Sequence, residues 1–136
     1  MKTELTLQQR LGTAKRYKGE GYNCSQCMFM AFNDLHGLDE KTALKLSCGL
    51  GGGVGGQRQI CGTISTIASL LGMTDYEGPA DKARLYKIIR ECSEKFEEKN
   101  GSLICEELKS PAAGKTCMAY IEDAIEILHN RLNENE

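Results

Sequence analysis

Seven cysteines are the residues of this 136-residue chain whose number and placement point to chemistry: Cys24, Cys27, Cys48, Cys61, Cys92, Cys105 and Cys117. A thiolate is both the nucleophile of disulfide exchange and a soft ligand for zinc or iron, so one set of cysteines can serve either reaction. The odd count leaves at least one thiol outside any intramolecular pairing. Cys24 follows Asn23, a good helix N-cap. Its sulfur therefore belongs in a first turn, where free N–H groups and the positive end of the helix dipole favour a thiolate. Cys27 completes a Cys-x-x-Cys pair able to close a short disulfide or to offer two ligands. Cys61 is expected near another helix start, behind a run of glycines, and Cys105 and Cys117 flank a connection holding Pro111 and Gly114. The spacing is neither that of a zinc ribbon nor that of ferredoxins. A thioredoxin reading also fails, because that motif joins a strand to a helix and no βαβ pattern is present. The alternative for any of the seven is service as a small buried apolar residue.

The other chemistry-bearing residues are less telling. Gly51-x-Gly53-x-x-Gly56 has the form of a dinucleotide fingerprint, but a helix precedes it where a strand is required. Gly51, Gly52, Gly53 and Gly62 are candidate cofactor-binding positions, as backbone that can offer N–H groups to a cluster sulfur or an anion. The competing reading is a tight crossing of helices. Arg58 beside the run reads as solvated. His36, before Gly37, suits a cationic cap at a helix end, and His129 reads as exposed on the last helix. Glu122, Asp123 and Glu126 read as a solvated face.

These residues must be positioned by helices, since no alternating run bounded by turns marks a strand. Helices are expected over 5–18, over 24–36 with Asn23 as cap, and over 40–48 with Asp39 as cap and Ala43, Leu44 and Leu46 inward. Eight residues from Gly49 to Gly56 include six glycines and cannot continue a helix cheaply. A fourth helix, 59–71, is apolar nearly all round and is expected to be the buried central one. Pro79 opens a fifth, to about Lys99, with Ala83, Tyr86, Ile88, Ile89, Cys92 and Phe96 inward. A short segment, 103–108, carries Cys105, and a last helix spans 115–132. The expectation is an all-α single domain over residues 1–136, a bundle of five to six helices with a glycine-rich loop beside the central helix and a frayed tail at 133–136.

Composition bounds the function classes. Hydrophobic residues make up 40% and charged residues 26%, which fits an ordinary folded protein. The net charge of −2 comes from interspersed charges without a basic stripe, and Trp is absent, so nucleic-acid binding has no support. The longest apolar stretch, 67–73, is too short to span a bilayer, and residues 1–5 do not read as a secretion signal. The cytoplasm is the expected location, where cysteines serve metal binding or thiol chemistry more often than structural disulfides.

Nearly the whole chain resembles a family of redox-active proteins named for its cysteine pattern, C_GCAxxG_C_C. The resemblance rests on Asn23-Cys24-Ser25-Gln26, on Gly49-Leu50-Gly51-Gly52-Gly53 leading to Cys61-Gly62, and on the late Cys105 and Cys117. It implies that Cys24, Cys61, Cys105 and Cys117 are the four functional cysteines and that Cys27, Cys48 and Cys92 are extras. Thr63 stands where Ala is usual in the motif and Thr66 where Gly is usual, which bears on packing at the start of the fourth helix. A domain of split-Soret cytochromes is similar, and that likeness implies an iron–sulfur cluster. Three readings follow. The four cysteines act as a thiol–disulfide or electron-transfer site with a redox partner still to be named. They ligate a [2Fe–2S] cluster or zinc, with Cys27 as an alternate ligand. Or they fill the core of a helical interaction module, a homodimer among its forms.

Overall fold

The computed structural model describes residues 3–134. It is all-helical: α1 (Leu7–Gly19), α2 (Cys24–Ala31), α3 (Asn33–His36), α4 (Glu40–Cys48), α5 (Gly62–Asp75), α6 (Lys82–Asn100), α7 (Cys105–Leu108) and α8 (Cys117–Asn133), with 3₁₀ turns at Pro79–Asp81 and Pro111–Ala113. Among the described residues there is no strand, only an isolated antiparallel bridge between Ile60 and Ile104. Among the described residues no helix is long and apolar enough to cross a membrane.

Among the described residues eight α-helices replace the five to six expected, and the physical reasons lie at the boundaries. The span expected as one helix, 24–36, breaks at Phe32 (φ −116°, ψ 33°). The carbonyl of Ala31 there accepts from the Arg10 guanidinium at 2.9 Å, and the chain restarts as α3. The fourth expected helix begins three residues late, because residues 59–61 are extended and pair with 103–105. The last begins at Cys117, capped by the Thr116 hydroxyl accepting from the Ala119 N–H. Asn133 is not frayed: it ends α8, and its side-chain oxygen accepts from the Thr3 N–H at 2.7 Å. Residues 135–136 lie outside the described residues.

Two inward faces also shift. Leu46 is 64% exposed, and Ser47, four residues after the buried Ala43, turns inward and donates to the Ala43 carbonyl. On α6 the stripe is Leu85, Ile88, Cys92 and Phe96, while Ala83 and Tyr86 face out. The apolar core gathers α2, α5, α6 and α8. α2 is the most enclosed helix, buried at every residue but Cys24 and packed against α1, α4, α5 and α8. α5, expected at the centre, is buried through Leu71 on the side facing α2, α6 and α8 but exposes Ser69 and Met73.

Arg10 is fully buried and fastens α1 to this core. Its guanidinium makes two hydrogen bonds to the Asp34 carboxylate (2.8 and 2.9 Å), lies 4.2 Å over the Phe32 ring and donates through Nε to Nδ1 of His129 at 3.1 Å. His129 is thus half-buried and neutral rather than exposed. His36 is buried and not a cationic cap: its Nδ1 accepts from the Leu38 N–H and its Nε2 faces the Phe29 carbonyl at 2.9 Å, the pattern of a neutral ring. Burial lowers the pKa of both histidines, with Arg10 adding to the effect at His129.

Arg10→Met should lower the unfolding free energy by about 1–3 kcal/mol, read from urea titration, because it leaves the buried Ala31 carbonyl without its donor and removes the partner of the partly exposed Asp34 carboxylate. Acid should also destabilise the fold. Between the ordinary histidine pKa of about 6.5 and the lower folded values, the unfolded chain binds more protons, so stability falls as pH drops through that window. A urea midpoint that rises between pH 7.5 and 5.5 would refute this.

Candidate functional site

Cys24, Cys61, Cys105 and Cys117 come from four separate parts of the chain and line one small cavity of about 90 Å³. Each stands at the start of a helix: Cys24, Cys105 and Cys117 are the first residues of α2, α7 and α8, and Cys61 is the N-cap of α5. Cys61 and Cys105 are buried, whereas Cys24 and Cys117 are partly exposed. All seven cysteines carry free thiols.

Local structure explains how Cys24, Cys61 and Cys105 meet. Asn23 and Gln26 form a reciprocal cap, each side-chain oxygen accepting from the other's N–H at 3.0 Å, which fixes where α2 begins. The Asn23 amide also donates to the Cys48 carbonyl, tying the start of α2 to the end of α4. Residues 49–57 then run in consecutive turns over this cap. A Cβ at Gly51 would lie 2.4 Å from Asn23 Cγ, so only glycine lets the turns sit there. The run closes on itself: the N–H groups of Val54, Gly55, Gly56, Gln57, Arg58 and Gln59 all donate to carbonyls within residues 49–54. Arg58 takes a left-handed φ of 61°, held by its N–H to the Gly52 carbonyl and its own carbonyl accepting from Glu106. That bend delivers residues 59–61 to the antiparallel pairing in which the Cys61 N–H donates to the Leu103 carbonyl and the Cys105 N–H to the Gln59 carbonyl. The two buried cysteines are therefore fixed against each other by main chain.

Gly62 sets the distance between α5 and α2. A Cβ there would lie 2.2 Å from Ser25 Oγ, 2.9 Å from Cys24 Sγ and 3.0 Å from the Leu50 carbonyl. Ser25 Oγ is buried without a hydrogen-bond partner. Of the glycines expected to bind a cofactor, Gly52 and Gly62 line the cavity, while Gly51 and Gly53 pack against Asn23 and residues 58–59.

Two effects oppose one another at the sulfurs. Helix starts favour thiolates. Burial disfavours them and raises the pKa of Cys61 and of Cys105, although the Thr63 hydroxyl and amide pull Cys61 down and Lys109 and Arg58 pull Cys105 down. Cys61 feels charge at Cys24 and Cys105, and Cys105 feels charge at Cys24 and Cys117. Cys61 Sγ and Thr63 Oγ1 share a hydrogen bond of 3.0 Å. Lys18 and Lys109 line the cavity and no carboxylate does. Tyr120 closes one wall, its hydroxyl donating to the Leu108 carbonyl. Thr63 was visible in the sequence only as a departure from the motif; Lys18, Lys109 and Tyr120 carry no sequence signal.

The remaining cysteines stand apart from the cavity. Cys27 is fully buried one turn inside α2, its pKa pushed up to about 11 by burial, so it stays a thiol. Cys92 is buried in α6, and Cys48 is exposed at the end of α4. A metal needs its ligands drawn together, and among the described residues no group of three or more His, Cys, Asp or Glu side chains is placed to hold one.

Gly62→Ala should displace Cys24 and the start of α2 and cost about 1–3 kcal/mol of stability, seen as a lower thermal midpoint together with faster alkylation of Cys24. Unchanged values for both would refute the close approach.

No curated protein and no solved structure matches the chain. The family model described as "Putative redox-active protein (C_GCAxxG_C_C)" matches residues 22–131, a span that holds all four cavity cysteines, and the chain belongs to that family.

Proposed function

We propose that this is a thiol–disulfide redox protein whose working groups are Cys24, Cys61, Cys105 and Cys117, within a single helical domain. The observation that carries the reading is the meeting of four helix starts, each bearing a cysteine, around one cavity walled by two lysines and no acid. Membership of a redox-active family supports it.

The exposures suggest a division of labour. A partly exposed thiol, Cys24 or Cys117, loses its proton and attacks one sulfur of a partner disulfide. A new S–S bond forms, the partner's bond breaks, and one partner thiolate leaves and takes up a proton. The buried neighbour, Cys61 for Cys24 or Cys105 for Cys117, then gives up its proton and attacks the mixed disulfide, releasing the second partner sulfur as a thiol. In sum, two protein thiols are oxidised to a disulfide and one partner disulfide is reduced to two thiols.

The test is thiol titration of an anaerobic preparation before and after incubation with glutathione disulfide, with metal content and visible spectrum recorded. Thiols should disappear in pairs that peptide mapping assigns to cavity cysteines. Cys61→Ser should abolish one such pair, and Cys92→Ser should leave all pairs in place. Equal effects of the two variants, or stoichiometric iron or zinc bound by the cavity thiols, would overturn the proposal.

A further inference from the structure

Thr63 is fully buried in the first turn of α5, and its hydroxyl finds its hydrogen-bond partner in the sulfur of Cys61, at 3.0 Å. While Cys61 is reduced, this contact is satisfied in either protonation state. The thiol can donate to the hydroxyl oxygen, and the thiolate can accept from the hydroxyl hydrogen. Oxidation changes that. A disulfide sulfur has no hydrogen to donate and no charge to draw one, while the hydroxyl remains buried in the same place. A buried polar group left without a partner raises the free energy of the state that strands it.

We infer that Thr63 is a positioning residue that sets the redox poise of Cys61, holding the site toward the dithiol and making its disulfide the more readily reduced form. The inference rests on the thiol–disulfide reading above. The balanced reaction it concerns is the one in which Cys61 and a cavity partner each lose a proton and together give two electrons to glutathione disulfide, which leaves as two molecules of glutathione. Thr66 offers an internal comparison. It is equally buried one turn along the same helix, but its hydroxyl donates to the Gly62 carbonyl at 2.8 Å, a main-chain partner that oxidation leaves in place.

The experiment equilibrates the full chain in glutathione redox buffers and quantifies the Cys61 disulfide by alkylation and mass spectrometry for the wild type and for Thr63→Val, Thr63→Ala, Thr63→Ser and Thr66→Ala. Thr63→Val and Thr63→Ala should favour the disulfide about tenfold more than the wild type, equivalent to a midpoint potential about 30 mV lower for a two-electron couple. Thr63→Ser keeps the hydroxyl and should keep the wild-type constant, and Thr66→Ala should not shift it. Thr63→Ala carries the test should the valine variant not fold. A change below twofold in the Thr63 variants, or an equal change in Thr66→Ala, would overturn the role of Thr63 and leave the redox reading standing. Failure of the wild type to form any Cys61 disulfide in any buffer would overturn both.

Discussion

The start of α5 lies so close to the start of α2 that only hydrogen fits at position 62. Much of the site follows from that contact. It brings Cys24 alongside the turn that carries Cys61, and Ser25, whose hydroxyl is buried without a partner, lies against the same glycine. The glycine-rich turns of residues 49–57 serve the same approach from the other side, lying on the Asn23 cap and steering the chain into its pairing with 103–105. The start of α5 is joined to that of α2 through a missing side chain and to that of α7 through a short stretch of main-chain pairing. Side-chain packing would have been a softer way to hold four sulfurs, because side chains change rotamer and main-chain hydrogen bonds do not.

The cavity balances two opposed effects. Helix starts and nearby lysines favour negative sulfur, and burial favours the neutral thiol. Burial raises the pKa of Cys61 and Cys105, while Cys24 and Cys117 are partly exposed. A site of four equivalent thiolates would repel itself in a low dielectric. Graded burial avoids four equivalent sulfurs.

Much of this was legible in the sequence and some of it could not be. Asn23, Asp39 and the glycine stop after Asn100 are local signals that depend on residues three or four apart, and those helix ends fall where expected. The break at Phe32 was illegible because its cause is Arg10, twenty-two positions away and drawn into the core to pair with Asp34. The late start of α5 was hidden for a similar reason, as residues 59–61 pair with a segment over forty positions later. Periodicity misjudged Leu46 and Tyr86, where the true stripe runs one residue out of phase. For the cavity, the cysteines could be ranked from the sequence by their helix-start positions and the family resemblance. The lysines and Thr63 that surround them are ordinary residues until the fold brings them near a sulfur.

Arg10 also fixes where this protein can be cut. The family's shared span begins at residue 22, yet α1, wholly before it, sends Arg10 into the core and Lys18 to the cavity wall. A chain trimmed to the shared span would keep every cysteine but take the guanidinium away from Asp34, His129 and the Ala31 carbonyl. Helix α1 therefore belongs to the same packed core as the span that identifies the family. Grafting of the cysteine motif into another scaffold must carry this leading helix along with the cysteines.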